Sequence, residues 1–117
     1  MNWRELKTIE GIEQAIQESE ETPVLIYKHS TRCSISAASL DRLERRWNDA
    51  EMAQVKAYYL DLISFRDVSN EIASKLGVIH QSPQAILLRN GKVIHEASHF
   101  GIDYQEIAEL ANSNQVA

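Results

Sequence analysis

One cysteine, Cys33, stands in the run Lys28-His29-Ser30-Thr31-Arg32-Cys33-Ser34-Ile35-Ser36. Just before it, Val24-Leu25-Ile26-Tyr27 is an apolar stretch rich in β-branched and aromatic residues, which reads as a buried strand. After it, Leu40, Leu43 and Trp47 recur at helical spacing. The cysteine therefore falls where a helix begins. The first amides of a helix have no internal partner, and the macrodipole places partial positive charge there. A thiolate is stabilised at such a place, so its pKa is expected below the roughly 8.5 of a free cysteine. Lys28 and Arg32 are close enough in the chain to add positive field. This is the chemistry of a nucleophilic thiol.

The neighbours admit plainer readings beside the functional ones. Ser36 lies one turn beyond Cys33, so its hydroxyl either donates to the sulfur or is simply a polar helix residue. Ser34 and Ile35 shape the turn and present amides. His29 could pair with the thiolate, but an exposed strand-end histidine fits as well. Arg32 is either a solvated charge or an attractor for an anionic thiol substrate. Cys33 itself could be a small buried apolar residue, and its junction position among basic neighbours weighs against that.

The elements that must position this run follow from periodicity. Residues 8–20 read as a helix with Ile9, Ile12 and Ile16 on one face, and Leu6-Lys7-Thr8 as a short edge strand before it. Thr22-Pro23 ends that helix, because proline disfavours helix in the residue before it. The Cys33 helix runs to about Trp47-Asn48. Val55–Asp61 is the next strand, and Ser64-Phe65-Arg66-Asp67 is a start signal for a helix carrying Val68, Ile72 and Leu76, with Gly77 as its terminator. Ser82-Pro83 introduces the strand Gln84–Arg89. Asn90-Gly91 turns it into the strand Lys92–Ala97, and Asp103-Tyr104-Gln105-Glu106 opens a last helix. A turn proline before a strand would also account for Pro83. The order (β)αβαβαββα predicts one α/β domain over residues 1–117, a mixed sheet with helices on both faces.

Composition narrows the function. A net charge of −5 argues against nucleic acid or an anionic membrane surface as the main partner. No apolar run approaches the roughly eighteen residues of a spanning helix, and Met1-Asn2-Trp3-Arg4-Glu5 lacks the order of a signal peptide. A cytoplasmic protein is expected, and one cysteine allows no internal disulfide. His95 and His99 lie four apart without a Cys pair or a His-x-x-Glu-His spacing, so no metal site is expected.

A cysteine opening the helix after an apolar strand, followed later by Leu76-Gly77-Val78, Ser82-Pro83 and the Asn90-Gly91-Lys92 hairpin, resembles the thioredoxin fold, with a central sheet of four to five strands. The resemblance implies a proline loop beside the reactive cysteine, in which Ser82 offers its backbone to substrate before a cis Pro83. Lys28-His29-Ser30-Thr31-Arg32-Cys33-Ser34-Ile35-Ser36 together with Ser82-Pro83-Gln84-Ala85 resembles the monothiol bacilliredoxin (YtxJ-like) family over roughly residues 3–111. One position departs from the family: Ser34 stands where it usually has Pro. The serine restores an amide that can hydrogen-bond the thiolate, so altered tuning rather than lost chemistry is expected.

The family resemblance implies removal of bacillithiol from proteins by a monothiol cycle. Cys33 attacks the mixed disulfide and carries the bacillithiol until a second bacillithiol, or another reductant, regenerates it. Partners are then bacillithiolated proteins and bacillithiol as co-substrate, with no resident metal, flavin or nicotinamide, in a monomer. Ser36 replaces the resolving cysteine of thioredoxins, so the chain cannot release a substrate by closing its own disulfide. Phe100-Gly101-Ile102-Asp103 resembles the Gly-x-Asp that glutaredoxins place near their small thiol; Gly101 and Asp103 are thus substrate-binding candidates, although a plain helix cap also explains Asp103. Two other classes stay open. Monothiol glutaredoxins carry a shared iron–sulfur cluster on Cys-Gly-Phe-Ser, but Cys33-Ser34-Ile35-Ser36 lacks their Gly-Phe. A redox-silent adaptor would keep only the fold.

Overall fold

The computed structural model describes residues 2–113. Its elements are β1 (Trp3–Glu5), α1 (Ile9–Glu18), β2 (Val24–His29), α2 (Ser34–Arg46), β3 (Lys56–Asp61), α3 (Arg66–Leu76), β4 (Gln84–Arg89), β5 (Lys92–Ser98), a 3₁₀ turn (His99–Gly101) and α4 (Tyr104–Asn112). The five strands form one sheet in the order β1-β3-β2-β4-β5. β1 and β2 run parallel to β3, while β4 is antiparallel to both β2 and β5. The α/β mixed sheet expected from the sequence is therefore the fold observed.

β2 lies at the centre and every one of its residues is buried. Strand side chains alternate between faces. Val24 and Ile26 join Leu60, Ile86 and Leu88 under Ile12 and Ala15 of α1 and Val68 and Ile72 of α3. Leu25 and Tyr27 join Ala85 and Leu87 under Leu43 of α2 and Ile107 and Ala111 of α4. Two cores, one per face, hold α2 against the sheet.

Three local expectations shift. The edge strand is Trp3–Glu5 rather than Leu6–Thr8. Leu6 continues the ladder with one amide bond to Tyr59 O (2.8 Å) but is buried, and Thr8 instead caps α1 by accepting the Gly11 amide at 3.0 Å. Ser64 does not cap α3, whose N-cap is Phe65. The Asp61 carboxylate takes the Ile63 and Ser64 amides and the Ser64 hydroxyl, which ties that serine into the turn ahead of the helix. α2 stops at Arg46, and Trp47 turns into an aromatic cluster with Trp3 and Tyr104.

Asn90 and Gly91 both have positive φ (55° and 76°), the hairpin turn their types favour. Ser19, at the end of α1, fastens that turn by accepting the Asn90 amide on its carbonyl and the Gly91 amide on its hydroxyl. Gly77 ends α3 at φ 68° with open space where a Cβ would sit. Gly77→Ala is expected to destabilise the protein by about 1 kcal/mol through backbone conformation alone. Urea unfolding checks this, and an unchanged midpoint would refute the role of the left-handed cap.

Candidate functional site

The site is built where three loops leave the same end of the sheet. Lys28 pairs with Gln84 as the last pair of the antiparallel β2–β4 ladder, so the Ser82-Pro83 loop enters β4 at the end of the sheet where β2 runs out into His29 and Ser30. Gln84 also pairs with Ser98 of β5, and the His99 amide donates to Pro83 O (3.1 Å). The loop after β2, the Ser82-Pro83 loop and the 3₁₀ turn thus gather round the start of α2. The Ser82–Pro83 peptide bond is cis. Pro83 is buried and Ser82 half-buried, with a buried hydroxyl oxygen that has no hydrogen-bond partner among the described residues.

Cys33 is the N-cap of α2, in extended conformation. No side chain among the described residues caps this helix, unlike α1 and α4, where Thr8 and Asp103 do. The sulfur occupies the position from which a capping oxygen ordinarily reaches the first-turn amides. Cys33 is partly exposed, not fully packed away. Its amide donates to Ser30 O (3.2 Å), closing the turn that presents it. Ser34, Ile35 and Arg32 around it are exposed.

Ser36, a substrate-binding candidate by resemblance alongside Ser34, is fully buried and so has no surface to offer a substrate. Its hydroxyl oxygen accepts the Ser30 amide (3.0 Å) and lies 2.7 Å from His29 Nδ1. His29 is likewise buried rather than an exposed strand-end residue. Burial pushes its pKa below the usual histidine value, and the carboxylates of Asp61 and Glu44 oppose that shift. The sequence placed His29 near Cys33 but missed its partner, although the alternation of a strand already sends it to the α2 face.

The same alternation removes Lys28 from the site. Its side chain leaves β2 on the other face, fully buried, where Nζ donates to Ser69 O of α3 (3.1 Å) and lies 3.3 Å from His80 Nδ1. Burial lowers its pKa to about 8. The positive field expected from Lys28 is therefore directed beneath the sheet, and Arg32 is the basic neighbour left on the cysteine side.

At the third loop, Gly101 is exposed in the 3₁₀ turn and Asp103 caps α4 by accepting the Glu106 amide at 3.3 Å. Arg42 of α2, absent from the sequence reading, holds this loop by donating to Phe100 O (3.2 Å) and Ile102 O (2.8 Å). Ser39 donates to His99 O (3.2 Å) beside it. Among the described residues no group of His, Cys, Asp and Glu could hold a metal ion, and no helix is long and apolar enough to cross a membrane.

Comparison with known proteins gives this geometry a context. Residues 4–107 match the family described as monothiol bacilliredoxin BrxC. A solved structure described as a candidate oxidoreductase with a thioredoxin fold is 34% identical, with a TM-score of 0.77, covering 90% of this chain and 89% of its own. Thioredoxins from Fasciola hepatica (18% identity, TM-score 0.69, 92% of this chain and 95% of its own) and Malassezia sympodialis (18%, 0.70, 94% and 88%) share the fold.

Proposed function

The chain belongs to the monothiol bacilliredoxin family, a branch of the thioredoxin-fold thiol-disulfide oxidoreductases, and from that premise we propose that Cys33 removes bacillithiol from protein mixed disulfides. The observation that carries this reading is a partly exposed thiol at an uncapped helix start, at the sheet end that also holds the cis Ser82–Pro83 peptide. The Cys33 thiolate attacks the bacillithiol sulfur, the disulfide to the target breaks, and the target leaves as a thiolate that takes a proton from water. Cys33 now carries the bacillithiol through a new disulfide. A second bacillithiol thiolate attacks that bond, leaving with the first as the symmetric disulfide and freeing Cys33. With Ser36 one turn on, no second thiol of this chain can intervene.

Ser82 and Pro83 line the place where the substrate disulfide lies, Ser34 contributes a first-turn amide, and Arg32 draws in the carboxylates of bacillithiol. Gly101 and Asp103 flank the same end at the start of α4. The protein acts as a cytoplasmic monomer on bacillithiolated proteins, with bacillithiol as co-substrate and no resident cofactor. Mass spectrometry after mixing with a bacillithiolated protein tests the reading. A mass gain of one bacillithiol on Cys33 with a freed target thiol is expected; transfer only from glutathionylated protein would overturn it in favour of a glutaredoxin activity.

A further inference from the structure

The exchange cycle depends on a Ser82-Pro83 loop held beside Cys33, yet the segment leading into that loop has little packing of its own. Between α3 and β4 the side chain of Ile79 is 81% exposed, His80 is exposed, and Gln81 and Ser82 are half-buried. The buried Ser82 hydroxyl has no partner among the described residues, so it fastens nothing. Lys28 Nζ approaches His80 Nδ1 (3.3 Å), a contact that reaches the side chain and not the backbone.

The backbone is fastened by Gln84. This residue opens β4 and is fully buried. Its Nε2 donates to Ile79 O (3.0 Å) and to a carboxylate oxygen of Glu96 on β5 (2.9 Å), and its Oε1 accepts the Gln81 amide (3.4 Å). Two acceptors on the nitrogen side and one donor on the oxygen side fix which way the carboxamide points. One N–H holds the loop and the other holds the sheet. The bond to Glu96 is charge-assisted, which makes it the stronger of the two and anchors the arm. The carboxamide cannot swing away without leaving buried polar groups unpaired.

We infer that Gln84 is a positioning residue for the substrate: its carboxamide, anchored on Glu96, holds residues 79–81 so that the backbone of Ser82 stays in place for a disulfide bound at Cys33. Being fully buried, Gln84 touches no substrate itself. Without it the loop must be ordered at each binding event, a cost that falls on KM and leaves the chemistry at the sulfur alone. This deepens the function proposed above: it rests on the loop holding the substrate, but not on the small thiol being bacillithiol.

The test compares wild type, Gln84→Met and Glu96→Ala in transfer from a bacillithiolated protein, with the free thiol as reductant, and in alkylation of Cys33 by iodoacetamide. Methionine keeps the length of the side chain and removes all three contacts. For Q84M, KM is expected to rise about tenfold, with kcat and the alkylation rate within about twofold of wild type. A smaller folded fraction would lower kcat instead. E96A, which removes only the anchor, is expected to raise KM about threefold. An unchanged KM in Q84M overturns the proposal, as does an alkylation rate that falls together with transfer. Should Q84M fail to fold, E96A decides on the same terms, together with exchange of the wild-type Gln84 Nε2 protons. Exchange as fast as in exposed glutamines would overturn the proposal. If the wild type does not act on the bacillithiolated protein, the function proposed above fails, and the same comparison is made with the glutathionylated form, so the two failures are separate results. A wild type inert to both donors overturns this inference as well.

Discussion

Cys33→Ser is expected to abolish bacillithiol transfer, a loss on the order of 10³-fold or more, while leaving the protein as stable as before or slightly more so. An alcohol at this place has no base to activate it. The nearby imidazole, His29, is engaged at Nδ1 by Ser36. No other sulfur nucleophile of the cysteine type exists in the chain, so nothing can substitute. Stability should not fall, because serine is a better helix N-cap than cysteine and α2 has no side-chain cap at present. The same transfer assay, read with a thermal melt, checks both halves. Residual transfer at the wild-type rate, or a collapse of the melt, would refute the assignment of Cys33 as a nucleophile on an intact scaffold.

Lys28→Met is expected to stabilise the protein by about 2 kcal/mol at pH 7, several degrees in melting temperature. Lys28 is fully buried, and the partners seen for its ammonium are a carbonyl and an imidazole rather than a carboxylate. Its folded pKa of about 8 lies below the unfolded value near 10.5. Between those values the unfolded chain binds more protons, so stability rises with pH across that window. The charge penalty is complete below pH 8, on the order of 3 kcal/mol, and absent above about 10.5. Methionine keeps the length and volume of the side chain and removes the charge, at the loss of the bonds to Ser69 and His80. The advantage of the variant should therefore shrink as pH rises from 8 to 10.5. Tyr27, raised to about 12 by burial, pulls the opposite way above pH 10, so the difference between the two proteins is the quantity to follow. Denaturant unfolding at pH 7 and 10 measures it; an equal gap at both would show that burial does not lower the pKa of Lys28.

Much of this architecture was readable from residue order. The turn residues Asn90-Gly91 and Gly77 sit at positive φ as their types demand, and Asp103 acts as a helix cap because a short polar side chain can reach an amide three residues on. Cys33 at the start of α2 followed from an apolar strand meeting a helical repeat. The errors arose where a residue had a rival partner. Ser64 matched a capping pattern, but Asp61 claimed its hydroxyl and amide first.

By itself the sequence determined the elements, their order, the one thiol and its place at a helix start, since these depend on contacts within a few residues along the chain. Only the tertiary structure decided that Lys28 lies beneath the sheet against His80, fifty-two positions away, that Arg42 ties down Phe100 and Ile102, and that Ser36 answers to His29 rather than to the substrate. Sheet register and the two packed cores select such partners, and no pattern of neighbouring residues encodes a choice made between distant strands.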